Sequence, residues 1–214
     1  MQWERRENAL QIDRVRRHAS IRNMTFQPFD IFAKDTVEED GMVEALASHQ
    51  PRSRTMHHGV GFRGTAGDTK CDILISNPPY ISPSGYRRTT ARSVRRFEPK
   101  LALVPSSLAA SGNGTQLDER QGDTFYPRLL DLAVQLNAKI ALFEVADLEQ
   151  ARRVAAMALQ RTDWNVDVQI WRDEPSRARS EEVEVADGRN VTVVGEGNGR
   201  SVFIRRNGCT TFVS

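Results

Sequence analysis

The stretch Cys71-Asp72-Ile73-Leu74-Ile75-Ser76-Asn77-Pro78-Pro79-Tyr80 constrains the fold of this chain more than any other. A short apolar run bounded by turn residues predicts a buried strand, here residues 71–76. The residues after it end the strand abruptly. Two adjacent prolines fix two φ angles and remove two ladder donors, so a strand stops before them and the turn is stiff. Asn77 is thereby placed at the carboxyl end of a strand, the rim at which open α/β sheets bind ligands.

The remaining sequence alternates helix and strand patterns. Residues 5–19 predict a helix with Ala9, Leu10, Ile12, Val15 and Ala19 on one stripe, and residues 23–32 predict a strand. A short helix is expected over 36–49, and 50–69, rich in Pro, Arg, Gly, His and Thr, reads as a surface loop. Beyond the prolines, Gly122-Asp123 is expected to open a helix carrying Phe125, Leu129, Leu130, Leu132, Ala133 and Leu136, capped by Asp123 or Thr124. A strand at 138–145, a helix at 148–160, a strand beginning at Val166 and a final one at 202–204 follow. Between the last two, residues 172–200 are charged and Gly-rich, and valines flank Asp187-Gly188 in a hairpin pattern. Such alternation predicts a parallel, three-layer α/β sheet, with an antiparallel edge formed by the last two strands.

Composition narrows the function classes. At 214 residues with 39% hydrophobic and 27% charged content, the chain suits one globular domain with a real core. A net charge of +2 does not by itself argue for a nucleic-acid binder. The positive charge is uneven, however: Arg87, Arg88, Arg92, Arg95 and Arg96 lie within 86–96 without one acid. That segment reads either as a solvated loop or as a docking loop for an acidic partner such as nucleic acid. Cys71 and Cys209 are too few for a disulfide framework, and His57-His58 lacks partner ligands, so no metal is expected. No membrane span is expected, since the apolar runs are short. No signal peptide is expected either, since the terminus carries Glu4 and Glu7 ahead of no apolar core.

Asn77-Pro78-Pro79-Tyr80, Arg95-Arg96-Phe97-Glu98-Pro99-Lys100-Leu101-Ala102-Leu103 and Ala138-Lys139-Ile140-Ala141-Leu142-Phe143-Glu144-Val145 together carry a resemblance. The chain resembles the amino-methyltransferases with an Asn-Pro-Pro-Tyr motif, and among them the HemK-type protein-glutamine methyltransferases, which modify the Gly-Gly-Gln loop of peptide release factors. The resemblance covers most of the chain, with insertions or loops at 33–70 and 172–200. It implies the α/β, class I (Rossmann-like) methyltransferase sandwich, here without the first and most of the second strand. Residues 1–214 are then expected to form a single, N-terminally incomplete domain.

The resemblance also implies roles for particular residues. The Asn77 side-chain oxygen and the Pro78 carbonyl would accept the N–H bonds of a planar NH2 group, Pro79 would stiffen the turn, and Tyr80 would pack its face on the amide. An amide nitrogen is a poor nucleophile because its lone pair is delocalised. Holding it and favouring its rehybridisation contributes on the order of several kcal/mol. S-adenosyl-L-methionine is the implied cofactor, with Glu4 on the ribose hydroxyls, Asp30 on the adenine amino group, Ile31 over the ring, and Asn77 beside the methyl group. The family's acidic-x-Gly-x-Gly turn is not found, because Gly59-x-Gly61 and Gly112-x-Gly114 read as loop glycines. Glu144 resembles the acid ending the family's fifth strand and reads as structural.

The implied partner is a peptide chain release factor, with nucleic-acid contact through 86–96, in a mitochondrial or cytoplasmic compartment. Two other readings stand beside it. One is an adenine-directed nucleic-acid methyltransferase using the same motif, which the arginines favour. The other is a non-catalytic binding module, or a remnant truncated at its start, which the absent Gly-rich turn favours. The Glu98 to Leu103 stretch favours the glutamine-directed enzyme.

Overall fold

The computed structural model describes residues 31–32, 71–106 and 114–208. Two units are distinguished, Met1–Ala33 and Lys34–Ser214. Of the first, Ile31 and Phe32 are described, and they form a turn where a strand over 23–32 was expected. The helices expected at 5–19 and 36–49, the loop at 50–69, and Glu4, Asp30, His57, His58 and Cys209 lie outside the described residues. Every helix and strand below belongs to the second unit.

Six strands form one sheet in the order β1-β2-β6-β3-β5-β4. They are β1 (Ile73–Ser76), β2 (Ile140–Glu144), β3 (Val166–Glu174), β4 (Ser180–Ala186), β5 (Arg189–Val194) and β6 (Glu196–Arg206). β1 and β2 run parallel, with Ile73 opposite Ile140 and Ser76 opposite Phe143. β6 runs antiparallel to both β2 and β3. The antiparallel strand therefore lies inside the sheet and not at its edge, which corrects the expectation from the sequence. Burial explains the placement. Val202 and Ile204 are fully buried, and each faces an apolar residue on both sides: Phe143 and Ile170 for Val202, Ala141 and Val168 for Ile204.

The hairpin expected at Asp187-Gly188 is present as β4 and β5, with φ of 49° and 72° at its two turn residues. Both values are the positive φ that a two-residue turn of matching twist demands. The rest of 172–200 is also mostly strand, not loop, because its charges alternate with valines. Glu182 and Glu184 face solvent while Val191 and Val193 of the paired strand are buried. The return from β5 to β6 passes the end of β3 at Gly195. A Cβ there would lie 2.4 Å from the Glu174 carbonyl oxygen, and φ is +92°, so the crossing needs glycine.

The helices are α1 (Pro83–Arg88), α2 (Arg92–Phe97), α3 (Lys100–Leu103), α4 (Gly114–Gly122), α5 (Tyr126–Gln135) and α6 (Leu148–Gln160). α6 packs on β3 and β6 through fully buried Ala151, Val154, Ala155 and Ala158, whose small side chains let the helix sit close to the sheet. α5 buries Leu129, Leu130, Leu132 and Ala133.

The arginine-rich segment 86–96 is helical in large part, not a loop. Ser82 caps α1 by accepting from the Gly85 N–H at 3.1 Å, Pro83 starts the helix, and Asp118 of α4 accepts from the Ser84 N–H at 2.8 Å. α5 starts later than expected, at Tyr126, and neither Asp123 nor Thr124 caps it. Asp123 is taken instead by Arg153 at 2.6 Å, a charged partner that outcompetes backbone amides. The Thr124 hydroxyl lies 2.8 Å from the Gln121 carbonyl and 3.2 Å from that of Arg120, at the end of α4.

The strand at 71–76 is shorter than expected and is not buried. Ile73 and Ile75 are 56% and 68% exposed, because β1 is the last strand of the sheet among the described residues. No helix among the described residues is long and apolar enough to cross a membrane.

Candidate active site

β1 and β2 are parallel and end level, so Asn77 and Glu144 leave the sheet side by side at one carboxyl rim. Pro78 is buried beneath the turn, Pro79 and Tyr80 are half-buried, and Asn77 is exposed. Among the described residues no side chain hydrogen-bonds the Asn77 carboxamide. The stiff turn thus displays the exposed Asn77 amide at the carboxyl rim of the sheet.

Tyr80 is held at its far end. Its hydroxyl donates to Glu144 Oε1 at 2.7 Å. Burial, followed by the hydrogen bond to Glu144 and that residue's charge, pushes the phenol up to about 12. Tyr80 therefore stays a neutral donor at any ordinary pH. Behind Glu144, Arg200 pairs with Asp173 at 2.7 Å and donates to the Ala146 carbonyl at 3.2 Å. The Asp173 hydrogen bond raises the Arg200 guanidinium further, so its charge is permanent.

Two of the three stretches that carried the resemblance also meet here. The Ile81 N–H, directly after the motif, donates to the Leu103 carbonyl of α3 at 2.9 Å. A third contact comes from α6. Gln150, only 3% exposed, donates through Nε2 to the Tyr80 carbonyl at 3.2 Å. Tyr126 donates to the Glu144 carbonyl at 2.8 Å; burial and nearby acids, Asp123 first, raise its phenol still more than that of Tyr80.

Of the residues singled out in the sequence, Asn77, Pro78, Pro79 and Tyr80 share this rim. Ile31 is a half-buried turn residue of the other unit. Glu4 and Asp30 fall outside the described residues. Glu144, read as structural, belongs to the site, and Gln150, Asp123 and Tyr126 were missed. One signal could have found Gln150. It sits three residues after the α6 cap Asp147, the spacing of a capping box, which turns its side chain back toward the strand exit. Among the described residues no group of His, Cys, Asp and Glu is placed to hold a metal ion.

Parallel β1 and β2, an antiparallel strand inserted before β3, and an Asn-Pro-Pro-Tyr turn on the carboxyl rim form an α/β fold consistent with the class I, Rossmann-like methyltransferases. The chain is 32% identical over 106 residues to "Probable MRF1 mitochondrial N(5)-glutamine methyltransferase mtq1" of Schizosaccharomyces pombe, a match covering 45% of this chain and 30% of that protein. It is 46% identical over 61 residues to a "Release factor glutamine methyltransferase" of Enterococcus faecalis, covering 28% of this chain and 20% of the relative. Its similarity is thus to HemK-type protein-glutamine methyltransferases, over 30% and 20% of the lengths of those two curated relatives. No family model matches the chain, and no solved structure does.

Proposed function

We propose that this site methylates the side-chain amide nitrogen of a glutamine in a peptide chain release factor, with S-adenosyl-L-methionine as the methyl donor. One observation carries the reading: a free Asn77 carboxamide on a proline-stiffened turn, with Tyr80 locked beside it by Glu144. Asn77 Oδ1 and the Pro78 carbonyl accept the two N–H groups of the substrate amide and orient its nitrogen. Tyr80, anchored at its hydroxyl, offers a ring face to the planar group.

An exposed amide at the carboxyl rim of parallel strands fits the binding crevice of such a fold, and Asn77 is the residue of this rim proposed to stand beside the methyl donor. S-adenosyl-L-methionine, when bound, supplies the methyl group, whose bond to sulfur breaks as the nitrogen–carbon bond forms and a proton leaves for water. Residues 1–214 are read as one methyltransferase domain, acting in mitochondria or cytoplasm.

The exposed Arg87, Arg88, Arg92, Arg95 and Arg96, with exposed Phe97 and Leu101 among them, support a docking surface for an acidic partner, nucleic acid included. An adenine-directed enzyme is the alternative that this surface favours.

The test is methyl transfer by the full chain, using methyl-labelled cofactor and a release-factor fragment bearing Gly-Gly-Gln. Label is expected on the glutamine side chain, and Asn77→Ala is expected to lower turnover by about 10²-fold or more without unfolding the chain. Label on adenine in an oligonucleotide instead would favour the alternative. Calorimetric titration with S-adenosyl-L-methionine tests the cofactor assignment in a chain without the Gly-rich turn: micromolar binding supports it, and absence of heat removes it.

A further inference from the structure

We infer that Gln150 is a positioning residue for the Asn77–Tyr80 turn, acting by clamping the peptide group that joins Tyr80 to Ile81. That peptide is held at both of its polar ends. Its carbonyl accepts from Gln150 Nε2 at 3.2 Å, and its N–H donates to the Leu103 carbonyl at 2.9 Å. A planar peptide group pinned at both of its edges cannot rotate without losing one of the two bonds, so the Tyr80 ψ and Ile81 φ angles beside it are restrained. Tyr80 is fixed a third time by its hydroxyl on Glu144. The turn is rigid at its start because of two prolines, and at its end because of this clamp.

The clamp is itself well supported. Asp147 accepts from the Gln150 N–H at 2.8 Å and sets the first turn of α6, which aims the carboxamide at the strand exit. Gln150 Oε1 accepts from the Ala146 N–H at 2.8 Å, so the amide cannot flip without placing two donors face to face. Its Nε2 also donates to Asp123 Oδ1 at 2.9 Å. Asp123, 6% exposed, is held in turn by Arg153, which donates to its two carboxylate oxygens at 2.6 and 3.1 Å. Each hydrogen-bonding group of the carboxamide has a defined partner, which is how a buried amide specifies a single orientation. The clamp also has a tight outer wall. A Cβ on Gly122 would lie 3.1 Å from the Tyr80 carbonyl oxygen and 3.3 Å from Gln150 Nε2.

The inference rests on reading the turn as the methyl-acceptor site, but its test separates the two. In the full chain, amide hydrogen exchange at Ile81 is compared with that of the β2–β6 ladder in wild type, Gln150→Leu, Gln150→Glu and Gly122→Ala. Glutamate keeps the shape of the side chain while replacing both N–H donors by acceptors. Ile81 exchange is expected to quicken about tenfold in all three variants while the ladder amides stay unchanged. With the glutamine substrate, kcat is expected to fall about tenfold or more while KM for the cofactor holds. Unchanged Ile81 exchange, or quickening in step with the ladder, overturns the inference, as does a kcat equal to wild type in an active chain. If wild type transfers no methyl group, the functional reading fails, and the exchange measurement still decides the clamp.

Discussion

Tyr80 is a phenol kept protonated by its surroundings, and that state is open to direct measurement. Burial and the Glu144 carboxylate raise its pKa from the ordinary 10.0 to about 12. A raised folded-state value means that its contribution to stability is complete below the unfolded value of 10.0 and is lost as pH rises through about 12. Glu144→Gln keeps an acceptor near the hydroxyl but removes the charge. The Tyr80 titration is therefore expected to move down toward, without reaching, the ordinary value. Ultraviolet difference titration checks this, with Tyr80→Phe identifying the signal among the three tyrosines. At this scale the sequence was legible where chemistry is local. Two prolines and an asparagine after an apolar run announce a rigid turn on their own. Glu144 was not legible as its partner, because 64 residues separate it from Tyr80 and no local spacing encodes that contact.

Elements with strong periodicity were read well from the chain, and elements held by caps were not. α6 and the β4–β5 hairpin follow from an alanine and valine stripe and from Asp-Gly between valines. α1, α2 and α3 have six, six and four residues and no buried face, so no hydrophobic period marks them. α1 owes its form to the Ser82 cap and to Asp118. Ser84 and Ser82 hydrogen bonds outweigh the burial of Asp118 and hold its carboxyl below the usual range. The β5–β6 crossing is the element most exposed to a single change. Gly195→Ala forces a Cβ into the Glu174 carbonyl at positive φ, and it is expected to cost about 2–3 kcal/mol in urea unfolding. Gly188→Ala, where nothing lies within 4 Å, is expected to cost less, about 1 kcal/mol from φ alone.

Across the whole molecule, the sheet order could not be read from local pattern. A strand with buried residues on its ladder reads the same whether it lies second or last in a sheet, and only the pairing of Val202 and Ile204 with both neighbours places β6 inside. β1 shows the reverse case, an apolar strand with exposed isoleucines that is the last of the sheet among the described residues. Exposed isoleucines on such a strand favour association between copies. The double variant Ile73→Lys, Ile75→Lys is expected to lower the apparent mass at high concentration in sedimentation velocity, with no change in far-ultraviolet dichroism. The opposite end of the sheet has a different consequence. β4 and β5 close it far from Asn77, and the Asp187-Gly188 tip stands in open space. That tip is a natural port for engineering: a tag, a reporter domain or a longer loop could be grafted there while the rim at Asn77 keeps its shape.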